Sequence, residues 1–190
     1  MPPGDFDDLV IVLASELDGD PPFEFLVQEF DCGDPDLNAF LVEEALPYQT
    51  HGLTFTYLVF NRELSAANLL GFYSLSSDSL KLEGVELTEL GLPFVAPLSF
   101  FPAIKLTKLA VSRHSQSGGL GAHLIKIIIG SVFSTHAAVR LITVNAVNNP
   151  RAIAFYERQG FIECIRTVQK PRKGEPQEPP TILMYKDIYS

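Results

Sequence analysis

The segment with the clearest capacity for chemistry is Leu109-Ala110-Val111 followed by Ser112-Arg113-His114-Ser115-Gln116-Ser117-Gly118-Gly119-Leu120-Gly121. A strand ends there, a glycine-rich turn follows, and an amphipathic helix begins. The first turn of a helix leaves N–H groups without internal partners and carries positive potential. Glycines let that backbone approach an anion without side-chain obstruction, so the pattern suits a pyrophosphate cradle. No Gly-Lys-Ser/Thr follows, so this is not a P-loop, and the glycine spacing is not that of a dinucleotide fold. A plain glycine turn ahead of a helix would carry the same residues, and on this loop alone both readings stand. The four histidines, His51, His114, His123 and His136, show no metal-ligand spacing and have no cysteine pair beside them, so no metal is expected. His114 flanks the loop, where it could meet a phosphate or remain solvated. His123 falls on a polar helix stripe and is expected to be exposed.

A second segment, Asn145 to Phe161 (NAVNNPRAIAFYERQGF), adds weight to the cradle. Here the chain resembles the GNAT superfamily of acetyl-CoA-dependent N-acetyltransferases. Gln116-x-x-Gly119-x-Gly121 is similar to that family's Gln/Arg-x-x-Gly-x-Gly/Ala loop. Asn149-x-x-Ala152-x-x-Phe155-Tyr156-x-x-x-Gly160-Phe161 is similar to its Asn-x-x-Ala-x-x-Phe-Tyr-x-x-x-Gly-Phe segment. The two stand in the family's order, about thirty residues apart. The resemblance implies an α/β (α+β) fold, the GNAT acyl-CoA N-acyltransferase fold, with a mixed central β-sheet flanked by helices. It implies that backbone amides of Gln116, Ser117, Gly118, Gly119, Leu120 and Gly121 hold the pyrophosphate of acetyl-CoA. It also implies that the strand end Leu109-Ala110-Val111 pairs with pantetheine and that Tyr156 sits near the thioester sulfur.

The chemistry fits those parts. A neutral amine attacks the thioester carbonyl directly, with no covalent enzyme intermediate, so Cys32 and Cys164 need no catalytic role. The collapsing intermediate expels a thiolate, and a phenol with an ordinary pKa of ~10 can protonate it. A backbone N–H at the strand end can polarise the thioester oxygen. Tyr156 is therefore the candidate acid, with core packing or a hydroxyl bonded to backbone as its alternative. Asn145 and Asn149 are candidate CoA contacts, and for Asn149 a simple helix cap is the alternative. Glu29, Asp31, Glu63 and Glu157 are available as general bases, but no spacing selects one.

Strong local signals set the elements that must carry these groups. Ile104 to Val111 alternates as a strand. Gly119 to Ser134 reads as a helix, with His123, Lys126, Gly130 and Ser134 as one narrow polar stripe. Arg140 to Ala146 is a strand. Asn149-Pro150 starts a helix that Gly160 ends with a left-handed cap. Phe161 to Val168 and Thr181 to Ile188 read as strands around a Pro-, Lys-, Arg- and Glu-rich connection, Gln169 to Pro180. Upstream, Phe23 to Phe30 alternates as a strand. Asp36 then caps a helix from Leu37 to Leu46, stopped by Pro47. Leu53 to Phe60 and Asn68 to Ser76 read as strands. Residues 77–102 read as irregular loop with one short strand. The turn Asp18-Gly19-Asp20-Pro21-Pro22 separates an N-terminal extension, 1–22, from an acetyltransferase domain, 23–190.

Composition narrows the class. The chain has 190 residues, of which 46% are apolar and 19% charged, too apolar for a disordered chain and long enough for one domain. No apolar run approaches the ~18 residues that a membrane helix needs. The acidic start and the short apolar stretch Leu9 to Ala14 do not make a secretory signal, so a cytoplasmic protein without membrane contact is expected. Cys32 and Cys164 lie far apart and read as buried thiols. The net charge of −9 is unevenly spread: residues 1–100 hold 18 acidic residues against Arg62 and Lys81, a net of −16, and residues 101–190 carry +7. An anionic ligand on the C-terminal half and a simple polar asymmetry both fit that split.

Three further segments bear on the acceptor. Phe30-Asp31-Cys32-Gly33-x-x-x-Leu37-Asn38-x-Phe40-Leu41, Gly71-Phe72-Tyr73-Ser74-Leu75 and Phe101-Pro102-Ala103-Ile104-x-Leu106-x-Lys108-Leu109-Ala110-Val111 resemble the toxin-type GNAT branch that acetylates aminoacyl-tRNA. In that branch Lys108 is an arginine. The resemblance implies a translation-blocking toxin, with the α-amine of an amino acid on tRNA as acceptor, a small antitoxin protein as partner, and a homodimer. A basic surface for tRNA could come from Lys105, Lys108, Arg140, Arg151, Arg158, Arg166, Lys170, Arg172 and Lys173, with Lys108, Lys170, Arg172 and Lys173 as substrate candidates. The acidic first half instead suits a cationic amine, such as a polyamine, an aminoglycoside or a protein lysine. An inactive acyl-CoA-binding interaction module is the non-enzymatic alternative.

Overall fold

A computed structural model describes residues 6, 8–17, 21–134, 137–165 and 179–190. Seven strands order as β1-β2-β3-β4-β5-β7-β6 in a mixed sheet with helices on it, as expected for an α/β acyltransferase fold. The chain divides into two compact units, residues 1–76 with 106–127, and residues 77–105 with 128–190.

In the first unit, β1 (Leu9–Leu13) pairs antiparallel with β2 (Phe55–Asn61), from Leu9 opposite Asn61 to Leu13 opposite Tyr57. The stretch set apart in a 1–22 extension thus supplies an edge strand of the sheet. β2 pairs antiparallel with β3 (Leu69–Leu80), with a bulge at Val59/Phe60. Phe23–Val27 is not a strand but a helical turn, α1, which buries Phe23, Leu26 and Val27. Those residues stand at i, i+3 and i+4, the spacing of a helix face, while Phe25 of the apparent alternation is 52% exposed. The next helix is capped by Asp34 rather than Asp36. The Asp34 carboxylate accepts the amides of Asp36 (3.0 Å) and Leu37 (3.3 Å), and Pro35 takes the first position of α2 (Pro35–Ala39). Nor does Pro47 stop it. A π-helical turn, Phe40–Glu44, widens the spiral, and α3 (Ala45–Thr50) restarts behind it. Pro47 then lies in a first turn, where amides have no intrahelical partner to lose. Phe40, Leu41, Leu58 and Phe72 form the centre of this unit's core.

The second unit holds the end of β3, and residues 77–102 are more ordered than expected. β3 runs on to Leu80, a short helix α4 (Val85–Glu89) follows, and β4 (Phe101–Val111) begins at Phe101. α5 (Leu120–Phe133) is helical despite its Ile127-Ile128-Ile129 run, because Leu124, Ile125, Ile128 and Val132 bury one side of it. β5 (Leu141–Val147) pairs antiparallel with β7 (Thr181–Asp187) along its whole length, from Leu141 opposite Asp187 to Val147 opposite Thr181. α6 (Pro150–Arg158) lies between β5 and β6. The strand expected from Phe161 to Val168 is only Ile162–Glu163, β6, paired with Tyr185 and Met184. Residues 166–168 of that expectation lie outside the described residues. Cys32 and Cys164 are both buried, and neither forms a disulfide.

Candidate acetyl-CoA and acyl-transfer site

The first unit builds the loop from the end of β4. Ala110 is buried and lies so close to β3 that a Cβ on Gly71 would sit 2.4 Å from the Ala110 carbonyl oxygen. The strand end is therefore fixed by a glycine on its neighbour. The Ser112 amide donates to the Leu70 carbonyl (2.8 Å), and Arg113–Ser115 then turn tightly. Ser117 has φ +67° and Gly119 φ +87°, with Gly118 on the ordinary side between them. Such alternation of φ sign is the backbone pattern from which anion-binding nests are built.

The Gly119 carbonyl accepts the His123 amide (3.0 Å) and so opens α5. From Gln116 to Ala122, no backbone amide meets a hydrogen-bond partner among the described residues. Leu120 is buried and pins the helix start, so these donors are held in place rather than loose.

The Gln116 side chain has a different role from its backbone. Its Nε2 donates to the carbonyls of Cys32 (2.8 Å) and Val111 (2.9 Å), so it ties the loop to its own strand and to the Asp31–Gly33 turn. Leu109 and Val111 flank Ala110, half-buried. Lys108 holds its ammonium 4.8 Å from the centre of the Phe40 ring.

The second unit carries Asn145, Asn149 and Tyr156. Asn145 is exposed on β5 opposite Leu183, and its side chain makes no hydrogen bond among the described residues. Asn149 acts as the cap: its Oδ1 accepts the Ala152 amide at 2.8 Å, and Pro150 follows at the first helical position. Tyr156 lies in the last turn of α6. Its ring meets Phe155 (5.0 Å) and Phe161 (5.4 Å) edge-on, and burial pushes its hydroxyl up to about 12. That hydroxyl has no hydrogen-bond partner among the described residues. Gly160 ends the helix at φ +82°, and the Phe161 amide returns to the Tyr156 carbonyl (3.1 Å).

Other candidates separate clearly. Asp31 is poorly suited to act as a base. Its carboxylate accepts Asn38 Nδ2 (3.0 Å) and the Gly33 amide (2.7 Å) and pairs with Arg113 Nε (3.1 Å). The Asn38 and Gly33 hydrogen bonds, with Arg113 behind them, hold it below the usual carboxylate range. Glu29, Glu63 and Glu157 are exposed. Arg140 is engaged within the fold: its Nη2 reaches the Leu90 carbonyl (3.0 Å) and Asp187 (2.5 Å), and its guanidinium lies over Tyr189. His123 is half-buried rather than exposed, stacked on Phe6 at 4.6 Å. Lys170, Arg172 and Lys173 lie outside the described residues. The connection that carries them ends on Asn148, whose amide and Nδ2 donate to the carbonyls of Pro180 (2.9 Å) and Pro179 (2.8 Å).

The Asp31–Asn38–Arg113 network was not foreseen from the sequence. Its one local signal is Asp31-x-Gly33, the pattern of an Asx turn.

Residues 99–174 match the acetyltransferase (GNAT) domain family. The chain is 29% identical over 138 residues to a tRNA-acetylating toxin of Mycobacterium tuberculosis (strain ATCC 25618 / H37Rv), covering 71% of this chain and 77% of the relative. A Tyr-to-Phe mutant of the toxin AtaT, solved with the C-terminus of the antitoxin AtaR and acetyl-CoA, superposes with TM-score 0.67 at 24% identity, over 96% of this chain and 95% of that one. AtaT complexed with acetyl-methionyl-tRNAfMet does so with TM-score 0.67 at 23% identity, over 93% and 94%. Among the described residues, no helix is long and apolar enough to cross a membrane.

Proposed function

We propose that this chain, whose residues 99–174 match the GNAT acetyltransferase domain family, is an acetyltransferase that moves acetyl from acetyl-CoA to the α-amine of an amino acid esterified to tRNA. The observation that carries the donor half is the run of unpartnered amides from Gln116 to Ala122 at the start of α5. Among the described residues no acceptor competes for these donors, and an α5 N-terminus adds positive potential. A diphosphate satisfies both.

Acetyl-CoA, when bound, supplies the thioester that the amine attacks. The chain's own part follows from its groups. The amides of Ser117, Gly118, Gly119, Leu120 and Gly121 hold the diphosphate, and Leu109-Ala110-Val111 offers backbone to pantetheine. Asn145 contributes an exposed side-chain amide, whereas the Asn149 side chain is spent on capping α6. Tyr156 is the proton donor to the departing sulfur. Its burial keeps the phenol protonated across the physiological range, which a donor needs before each turnover.

The acceptor reading is supported by the relative's tRNA-acetylating activity and by the AtaT complex with acetyl-methionyl-tRNA. Lys170, Arg172 and Lys173 would meet the tRNA backbone, together with Lys108 at the loop's own strand. A small antitoxin protein is the regulatory partner, by analogy with AtaR on AtaT. One observation favours a second reading. The exposed Glu24, Glu29, Asp34, Asp36, Glu43 and Glu44 on α1–α3 would draw cationic amines such as polyamines.

The test is transfer of labelled acetyl from acetyl-CoA into charged bulk tRNA, with a polyamine and lysine-peptide panel alongside. Label in tRNA that is lost on deacylation of the ester, with incorporation falling steeply with salt, is the expected result. Label only in the free amines would replace this acceptor with the second reading.

A further inference from the structure

We infer that Asp31 is a positioning residue that holds the anion-binding loop in register, by clamping the Asp31–Gly33 turn to Arg113 and Gln116. The inference rests on the reading of residues 116–121 as the diphosphate cradle.

The clamp is made of bonds between segments remote in sequence. The Arg113 amide donates to the Asp31 carbonyl (2.9 Å), and the Arg113 side chain pairs with the Asp31 carboxylate (3.1 Å). Gln116 Nε2 reaches the Cys32 carbonyl (2.8 Å). On the other side, Asp31 Oδ1 gathers the Gly33 amide and Asn38 Nδ2, and Asn38 Oδ1 accepts the Cys32 amide (3.0 Å) and thiol (3.1 Å). Gly33 is obligatory in this arrangement. It has φ +89°, and a Cβ there would meet Arg113 Nε at 3.0 Å.

Magnitudes decide what the clamp does. The Asp31 and Arg113 side chains are 50% and 61% exposed, so their ion pair adds only ~0–1 kcal/mol to folding. Its value lies in direction. Arg113 starts the turn that leads, through Gln116 and Ser117, to the free amides, and Ser117 holds a left-handed φ of +67° that its own side chain disfavours. A loop strained in this way needs both ends fixed. β4 and the Asp31 turn, through Arg113 and Gln116, fix the first end, and buried Leu120 fixes the second.

The experiment compares two acyl donors, acetyl-CoA and S-acetylpantetheine, which lacks the diphosphate. Wild-type enzyme should prefer acetyl-CoA strongly. Without that preference the cradle itself would be refuted, a failure distinct from that of the clamp. In Asp31→Ala, which also loses the Gly33 and Asn38 bonds, the KM for acetyl-CoA should rise about tenfold, and in Arg113→Ala, which loses the exposed ion pair, about two- to fivefold, with kcat within about threefold in both. The KM for S-acetylpantetheine should not move. Arg113→Ala removes only an exposed side chain, so it keeps the test open should Asp31→Ala misfold. Asp31→Asn keeps both acceptor bonds and loses the charge, so it should fall between wild type and Asp31→Ala. An unchanged acetyl-CoA KM in Arg113→Ala, or an equal rise for both donors, would overturn the assignment.

Discussion

Tyr156→Phe is the most informative single change, because its two expected effects have opposite signs. The ring packs between Phe155 and Phe161, and a phenylalanine keeps that packing. The hydroxyl has no partner among the described residues and sits in surroundings that push it up to about 12. Removing a poorly solvated hydroxyl without a partner recovers on the order of 1 kcal/mol. At this chain length that raises Tm by about 2–4 °C. The same change removes the proton donor to the leaving thiolate, which should lower turnover by roughly 10²-fold, or about 2.7 kcal/mol of barrier. The pH dependence gives an independent reading. The folded phenol binds its proton more tightly than the unfolded one, with its ordinary value of ~10. Stability tied to Tyr156 is therefore fully present below about pH 10 and is lost as pH rises towards 12, by roughly 2–3 kcal/mol. Tyr73 and Tyr185 are raised in the same direction by burial. Both remain in the variant, so the difference between wild type and variant isolates Tyr156. The assays are thermal melts from pH 8 to 11.5 and single-turnover acetyl transfer with acetyl-CoA binding measured separately. Wild-type turnover in the variant, or destabilisation at neutral pH, would refute the reasoning and return Tyr156 to a packing role.

Gly71→Ala should destabilise the protein by about 1–3 kcal/mol and raise the acetyl-CoA KM, since its Cβ would displace the Ala110 carbonyl at the end of β4; melts and donor titration check both. Asn149→Ala should cost about 1 kcal/mol in melts, with the acetyl-CoA dissociation constant unchanged by calorimetry, because the side chain is spent on the Ala152 amide. Arg140→Ala should cost about 2–3 kcal/mol in denaturant titration, allowing for partial exposure of its pair, yet leave the KM for aminoacyl-tRNA unchanged.

The part of the fold legible in the sequence is the part with dense local signals. Asn149-Pro150 at one end and Gly160 at the other bracket α6 by backbone chemistry alone, and the glycine turn ahead of Leu120 marks α5 in the same way. The N-terminal half misleads because its signals are short. Phe23–Val27 is one helical turn, and over so few residues a period of two and a period of 3.6 select nearly the same apolar letters. Pro47 is a strong breaker in an ideal helix, but a π-helical turn at Phe40–Glu44 resets the hydrogen-bond count before it. β1 is a strand because β2 offers it an edge, a partner that lies more than forty residues away. Within the site, the motif singles out Gln116, but the destination of its side chain depends on the Cys32 carbonyl. No pattern local to the loop contains that information.

The bond from Gln116 to Cys32 spans 84 residues of chain. Heredity therefore treats the two segments as separable while the fold treats them as one part. Any exchange of gene fragments with a breakpoint between residues 33 and 113 would pair one protein's turn with another's loop. Such hybrids would keep both motifs intact by inspection and still lose affinity for the donor. Chimeras that carry residues 31–38 and 112–121 from the same parent would keep it.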